Sequence, residues 1–298
     1  MKSNFYRELK KTHYDPKERS QILKDLKELI DVFGYLLNYL SEINIEVSQH
    51  RYMIGILTNK YILHTLSILR LISGTHISSR LLNSQRTVYD IGSIVVLTRS
   101  AIENYLTFYY LFIQPSDEEE ELFRFNLYEL SGLNSRQWIE PTEADQIEIK
   151  NNDKTRIREL ENIINEHPLY LKLDKNIKDY IKSGRQARLF TWKNLFDQAD
   201  LNADVFKIAW SLYSNYAHSE YISQRQLSGY LTDIESAKDK CDTILNIMFC
   251  LTAIFIKDFV EFFPETKERF NSLPKETLEV IDFFNGVGRK ELPIEEAS

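Results

Sequence analysis

Ile208-Ala-Trp-Ser-Leu-Tyr-Ser-Asn-Tyr-Ala-His-Ser-Glu-Tyr-Ile222 reads as a helix that carries polar side chains on a face meant for burial. Trp210, Ser214 and His218 recur every four residues and so form one stripe along it. Asn215 lies beside His218 at a spacing of three, and the stripe predicts an imidazole pointing into the helix packing. A second stretch answers the first. Ile91 to Ile113 is apolar almost all round, as a central helix is, and its two charges are Arg99 and Glu103. An unpaired charge there would cost several kcal/mol, so the two should pair with each other or with polar groups from other helices.

The rest of the composition agrees with long helices. The 298 residues contain nine glycines and seven prolines, well below the usual combined share of about 12%. Few tight turns are therefore expected, which favours an all-α bundle over a many-stranded sheet. At 43% hydrophobic and 27% charged, the chain is ordinary for a globular protein with a sizeable core. Its net charge of −7 argues against nucleic-acid binding over the whole surface, so only a local patch could serve. Cys241 and Cys250, nine apart on one helix, face opposite ways and cannot bridge. No disulfide framework or paired-cysteine metal site is expected, which suits a reducing cytoplasm. The N-terminus lacks the apolar core of a signal peptide. Ile244 to Phe263, the best membrane candidate, is interrupted by Asn246, Lys257, Asp258 and Glu261 and reads as a buried helix.

In order, the 3–4 apolar spacing predicts helices over Ser20–Ser41, Arg51–Ile72 and Ser84–Ile113, with a loop at Ser73–Ser79. His64 reads as a core or boundary histidine bonded to a neighbour, and His76 has no ligand-spaced companion. Pro115 ends the third helix. Ser116-Asp-Glu-Glu119 reads as a capping box opening a fourth, to about Ser131, and its acidic run suits a helix N-terminus. Gly132–Glu143, with Trp138 and Pro141, reads as a connector. Ala144–Glu166 has little to bury and reads as a solvated helix or a partly mobile insertion. Helices are also expected over Leu169–Ile181, Trp192–Gln198, Ala203–Tyr221 with Asn202 as cap, and Asp233–Phe263. Two short ones follow at Glu265–Leu273 and Lys275–Phe284, with Gly286, Gly288 and Pro293 marking a loose acidic tail. The expected organisation is one helical domain, with its core at about 20–131 and 169–263, a polar insertion at 132–168, and short helices and a tail over 265–298.

No phosphate-binding Gly-rich loop, nucleophile elbow or zinc-protease motif occurs, which weakens nucleoside triphosphatase, dinucleotide-enzyme, hydrolase and metalloprotease readings. No cofactor or metal is expected. What remains is Arg99, Glu103, Tyr213, Ser214, Asn215 and His218. One reading is a buried polar cluster tying two central helices together. The other is a pocket where an imidazole and a guanidinium act on a ligand between aromatic walls. A second feature is the run from Lys172 to Lys193. There seven basic residues, among them Lys182, Arg185, Arg188 and Lys193, face only Asp174 and Asp179. It is either a solvated face or an edge for phosphates.

Leu97-Thr-Arg-Ser-Ala-Ile-Glu103 and Tyr213-Ser-Asn-Tyr-Ala-His218, with Trp192 between, resemble a widespread bacterial family of helical proteins defined as a domain of unknown function. The resemblance spans roughly residues 85–260 and implies a helical fold but no activity. The second motif also resembles the HEPN (higher eukaryotes and prokaryotes nucleotide-binding) ribonucleases. Their signature sets an arginine, a polar residue and a histidine along a helix turn. Asn215 and His218 match the last two, whereas Ser214 stands where the arginine belongs, and Arg99 is the residue that could replace it in space. The likeness implies metal-independent cleavage, with histidine and arginine assisting 2′-hydroxyl attack and stabilising the phosphorane, and a site that commonly lies at a homodimer interface. Two functions are thus expected in competition. One is an RNA-acting effector of stress or phage defence, and the other a non-catalytic helical module for a protein partner or small ligand.

Overall fold

The computed structural model describes residues 19–79, 84–184 and 188–289. The lead-in before residue 19, the acidic tail after 289 and Arg185 lie outside them. The protein is all-α. The described residues form thirteen α-helices and one two-stranded hairpin. The helices are α1 (Arg19–Glu42), α2 (Tyr52–Ile72), α3 (Ile91–Phe108), α4 (Glu118–Arg136), α5 (Ala144–Glu166), α6 (Pro168–Lys172), α7 (Lys175–Lys182), α8 (Trp192–Gln198), α9 (Phe206–Ala217), α10 (Tyr221–Thr232), α11 (Ile234–Phe262), α12 (Lys267–Asn271) and α13 (Lys275–Arg289). They divide into two compact units, Met1–Leu106 with Phe196–Ser298, and Thr107–Leu195.

The first unit is built around α11. Asp233 caps its start by accepting from the Glu235 and Ser236 amides, and Pro264 follows its end. Phe255 is the hub. Its ring meets Phe33 of α1 at 4.9 Å, Tyr61 of α2 at 5.0 Å and Tyr105 of α3 at 5.4 Å, each edge to face. That geometry sets the positive ring edge on the negative ring face. Two polar pairs lie inside this core. The hydroxyls of Tyr61 and Thr252 share a hydrogen bond at 2.7 Å, and Tyr105 donates to Asp258 at 2.7 Å. Burial pushes the Asp258 carboxyl upward, while Arg289 of α13 pairs with it and opposes the shift. By length and composition α11 could cross a membrane, yet 89% of its most apolar window is buried within the protein.

The C-terminal region departs from expectation. Gly286 and Gly288 are buried in α13, not part of a loose tail. A Cβ on Gly288 would lie 2.5 Å from Ile254 Cδ1 and 3.2 Å from Cys250 Cβ, so glycine is what lets α13 approach α11. Phe284 stacks on Phe249 at 4.6 Å, completing the seam.

The hairpin is a second departure. Thr75–Ser79 pairs antiparallel with Ser84–Val88, where a loop and the first turn of a helix were expected. Gly74, at φ +87°, closes α2 in the left-handed region that glycine enters freely. The Ser-Gln-Arg-Thr-Val stretch ends in β-branched residues, which favour a strand. Helix α3 instead begins after Asp90, which accepts from the Ser93 amide at 3.0 Å.

The second unit joins α4 to α5 over a core of Phe123, Leu127, Leu130, Ile157, Leu160, Ile164, Tyr170 and Ile181. Ile157, Leu160 and Ile164 form the buried apolar stripe of the largely polar α5. The expected insertion is therefore a packed helix, held also by Arg156 on Glu129 at 2.9 Å. The cap of α4 sits one residue later than expected. Asp117 accepts from the Glu120 amide at 2.8 Å, and Glu120 reaches back to the Ser116 amide at 3.0 Å. The helix continues to Arg136. The span Leu169–Ile181 is two short helices, not one. Leu173 is extended, and Asp174 starts the second.

Pro115 shapes the start of this unit. It has no amide hydrogen, so α3 runs into a π turn at Tyr109–Ile113 in which the Gln114 amide reaches Tyr109 O at 2.9 Å. Tyr110 O then lacks the donor that residue 115 would have supplied. Arg124, only 3% exposed, fills the gap. Its Nη1 donates to Tyr110 O at 2.9 Å and its Nε to Glu120 at 3.0 Å.

Candidate functional site

Arg99 and Glu103 face α9 from the side of α3, one helical turn apart. Arg99 Nε donates to Glu103 Oε1 at 3.0 Å, and its Nη1 donates to Ser214 Oγ at 3.1 Å. The indole Nε1 of Trp210 donates to the same Glu103 oxygen at 2.8 Å. Arg99 Cζ lies 5.5 Å from the Trp210 ring centroid, within reach of a cation–π attraction. Arg99 and Glu103 are 18% and 28% exposed. They form a boundary network open at one side, not the fully buried pair that the sequence implies. The stripe Trp210–Ser214 therefore meets α3, and the guanidinium sits against Ser214.

His218 is placed differently. Helix α9 ends at Ala217 and His218 is its exposed C-cap, so the expectation of a ring aimed into the packing is overturned. The end is a Schellman turn. Ser219 N reaches Tyr216 O at 3.3 Å, and Glu220 N reaches Asn215 O at 2.9 Å, the two bonds that close this motif. Ser219 takes φ +54°, a conformation normally left to glycine or asparagine. The sequence carries no such marker, which is why the helix was expected to run on to Tyr221, with no helix between it and Asp233. Gly229 in fact lies inside α10. Asn215 is half-buried on the last turn of α9. Among the described residues neither its side chain nor that of His218 makes a hydrogen bond, so both are free to meet a ligand.

Tyr213 is 1% exposed and faces α11. There Lys240 approaches it, with Nζ 3.4 Å from the hydroxyl and 4.6 Å from the ring centroid. Burial pulls the Lys240 ammonium down to about 8. Sequence reasoning missed this lysine. It lies among polar residues of the first turns of α11, and nothing in its spacing sets it apart from a solvated one. Tyr216, next on the buried side of α9, donates to Gln226 at 2.8 Å. His64, as expected, meets a neighbour, Ser100 Oγ, at 3.3 Å.

Of the basic run, Lys182 ends α7 and is exposed, as is Lys193 on α8. Arg188 stacks on Trp192 with Cζ 3.6 Å from the ring centroid, and Tyr180 is exposed on α7. Lys178 donates to Leu171 O at 2.9 Å.

Glu103 holds two donors on one oxygen, so Glu103→Gln is expected to lower stability by about 1–3 kcal/mol, the range for hydrogen bonds to a charged group. Urea denaturation checks this. An unchanged midpoint would mean that the network carries no load.

Compared with protein-family models, curated proteins and solved structures, the chain matches none of them.

Proposed function

We propose that the chain is an RNA-acting effector of HEPN type, serving stress or phage defence, with Arg99 and His218 as its working cation and acid–base. The observation that carries this reading is the hydrogen bond from Arg99 to Ser214. It brings a guanidinium from α3 to the serine that stands, in sequence, where the HEPN-like signature has its arginine. Asn215, the residue after Ser214, and His218, the C-cap of the same helix, make no side-chain hydrogen bond among the described residues, at a helix end held by a left-handed serine. Such backbone costs about 1–2 kcal/mol and tends to persist where function requires it. In this reading His218 moves the proton of the attacking 2′-hydroxyl or of the leaving oxygen. Arg99 stabilises the charge that develops on the phosphorane.

The basic run is assigned to phosphate contacts, with the Arg188–Trp192 stack offering a flat surface to a base. Replacing Lys182, Arg188 and Lys193 with Gln should weaken single-stranded RNA binding and flatten its salt dependence by about two to three charges. Fluorescence anisotropy of a labelled RNA across a salt series measures both. An unaltered protein that binds no RNA at low salt would dismiss this role.

The competing reading, a non-catalytic helical module, is favoured by Glu103, which neutralises Arg99 within the chain. Cleavage of single-stranded RNA in EDTA separates the two, since the module predicts none at any enzyme concentration.

A further inference from the structure

Lys240 lies on the second turn of α11 and is half-buried. Its amine donates to the Tyr213 hydroxyl at 3.4 Å and lies 4.6 Å from the centroid of that ring. Among the described residues it has no ion pair. Local sequence accounts for this. Residues three and four apart share a face of an α-helix, and for Lys240 these are Ser236, Ala237, Thr243 and Ile244, none of them charged. Asp239 and Asp242, one and two residues away, leave the helix in other directions. Lys238 shows the ordinary arrangement, paired at 2.8 Å with Glu235, three residues before it.

We infer that Lys240 is a covalent site for small aldehydes, which it takes up as an imine, with the Tyr213 hydroxyl as the proton carrier. A lysine set among uncharged groups without a counter-ion is a common form of nucleophilic amine, because burial disfavours the charged state. Here burial brings the ammonium down to about 8, so near neutral pH its share of free amine is on the order of 100-fold above that of an ordinary lysine. The step needs neither oxidant nor reductant. The amine nitrogen attacks the carbonyl carbon, a C–N bond forms, and the carbonyl oxygen leaves as water with both amine hydrogens. Tyr213, within hydrogen-bond reach of the nitrogen, takes a proton from it and returns one to the departing oxygen. The aldehyde is small because the surroundings are close. Tyr213 is 1% exposed, and Ala237 and Ile244 on the Lys240 face of α11 are buried. This inference is independent of the RNA-acting proposal, which uses neither Lys240 nor Tyr213.

Limiting formaldehyde with cyanoborohydride near neutral pH tests it on the full chain. The reductant fixes each imine as a methylated amine, and peptide mass spectrometry reads the rate at every lysine. In the unaltered protein Lys240 should react at least about 10-fold faster than the exposed Lys154 and Lys267, since lower basicity gives back part of the gain in free amine. Tyr213→Phe keeps the ring and removes the proton carrier. It should slow Lys240 by about 10-fold or more and leave Lys154 and Lys267 unchanged, with the same helicity by circular dichroism. Lys240→Arg should abolish the fast site. Equal rates at the three lysines of the unaltered protein overturn the inference. So does a Lys240 rate that Tyr213→Phe leaves unaltered.

Discussion

Replacing Arg124 with Met is expected to destabilise the α4–α5 unit by about 3–5 kcal/mol, the usual cost of removing one partner from a buried ion pair. Arg124 answers to two groups, of which the second also accepts from Ser116. One is Tyr110 O, stranded by the π turn and by the missing amide hydrogen of Pro115. The other is the Glu120 carboxylate, itself part of the α4 cap. Met matches the stem of the side chain and supplies no donor, so a carbonyl and a charge lose their partner together. Burial pushes the Glu120 carboxyl upward, but hydrogen bonds from the Ser116 amide and Arg124 outweigh it and hold the group below its ordinary value. A carboxyl lowered by folding stabilises fully above its unfolded value, about 4.3, and loses that contribution as pH falls through the lowered one. The Arg124→Met variant should therefore show a smaller loss of stability on acidification below about pH 4 than the unaltered protein. Urea denaturation followed by circular dichroism, repeated across pH, measures both effects. Adding Glu120→Leu should recover part of the loss. A change below about 1 kcal/mol in the single variant would mean that water, not Arg124, serves Tyr110 O.

His218→Gln has the largest effect expected on activity. As an exposed C-cap whose side chain makes no hydrogen bond among the described residues, His218 contributes little to stability, and Gln should leave the melting temperature nearly unchanged. If the imidazole moves a proton during 2′-hydroxyl attack, its loss should slow RNA cleavage by roughly 10²–10⁴-fold, the usual range for general acid–base catalysis. Exposure makes this test cleaner than the sequence suggests. A buried histidine would have coupled folding to activity, whereas here rate per folded molecule and stability separate. Cleavage rates measured under single turnover beside thermal melting give the comparison. Equal rates for both proteins would remove His218 from the chemistry, and a large drop in melting temperature would make it a structural cap.

How far the sequence carried depends on which physical signal each element left. Helices α1, α2, α5 and α11 follow a strong 3.6-residue apolar period, or its polar complement, and their ends lie within a few residues of expectation. The Arg99–Glu103 pairing was legible because two charges on an apolar helix must find partners. Four features were not legible. The hairpin was hidden because Thr75–Ser79 and Ser84–Val88 are short and lack a typical turn sequence. The break at His218 was hidden because Ser219, not glycine, takes the left-handed position. The fit of α13 was hidden because Gly288 reads as a chain-end signal until Ile254 and Cys250 are seen against it. The approach of Lys240 to Tyr213, 27 residues apart, depends on how α9 meets α11, and no local pattern encodes that.

The most direct measurement of the central claim compares two single-stranded substrates of one sequence in EDTA, ordinary RNA and RNA with every 2′-hydroxyl methylated. The account predicts that the purified chain cuts the first, leaving 2′,3′-cyclic phosphate ends, and leaves the second intact. Equal cutting of both, or no cutting of either, would contradict it.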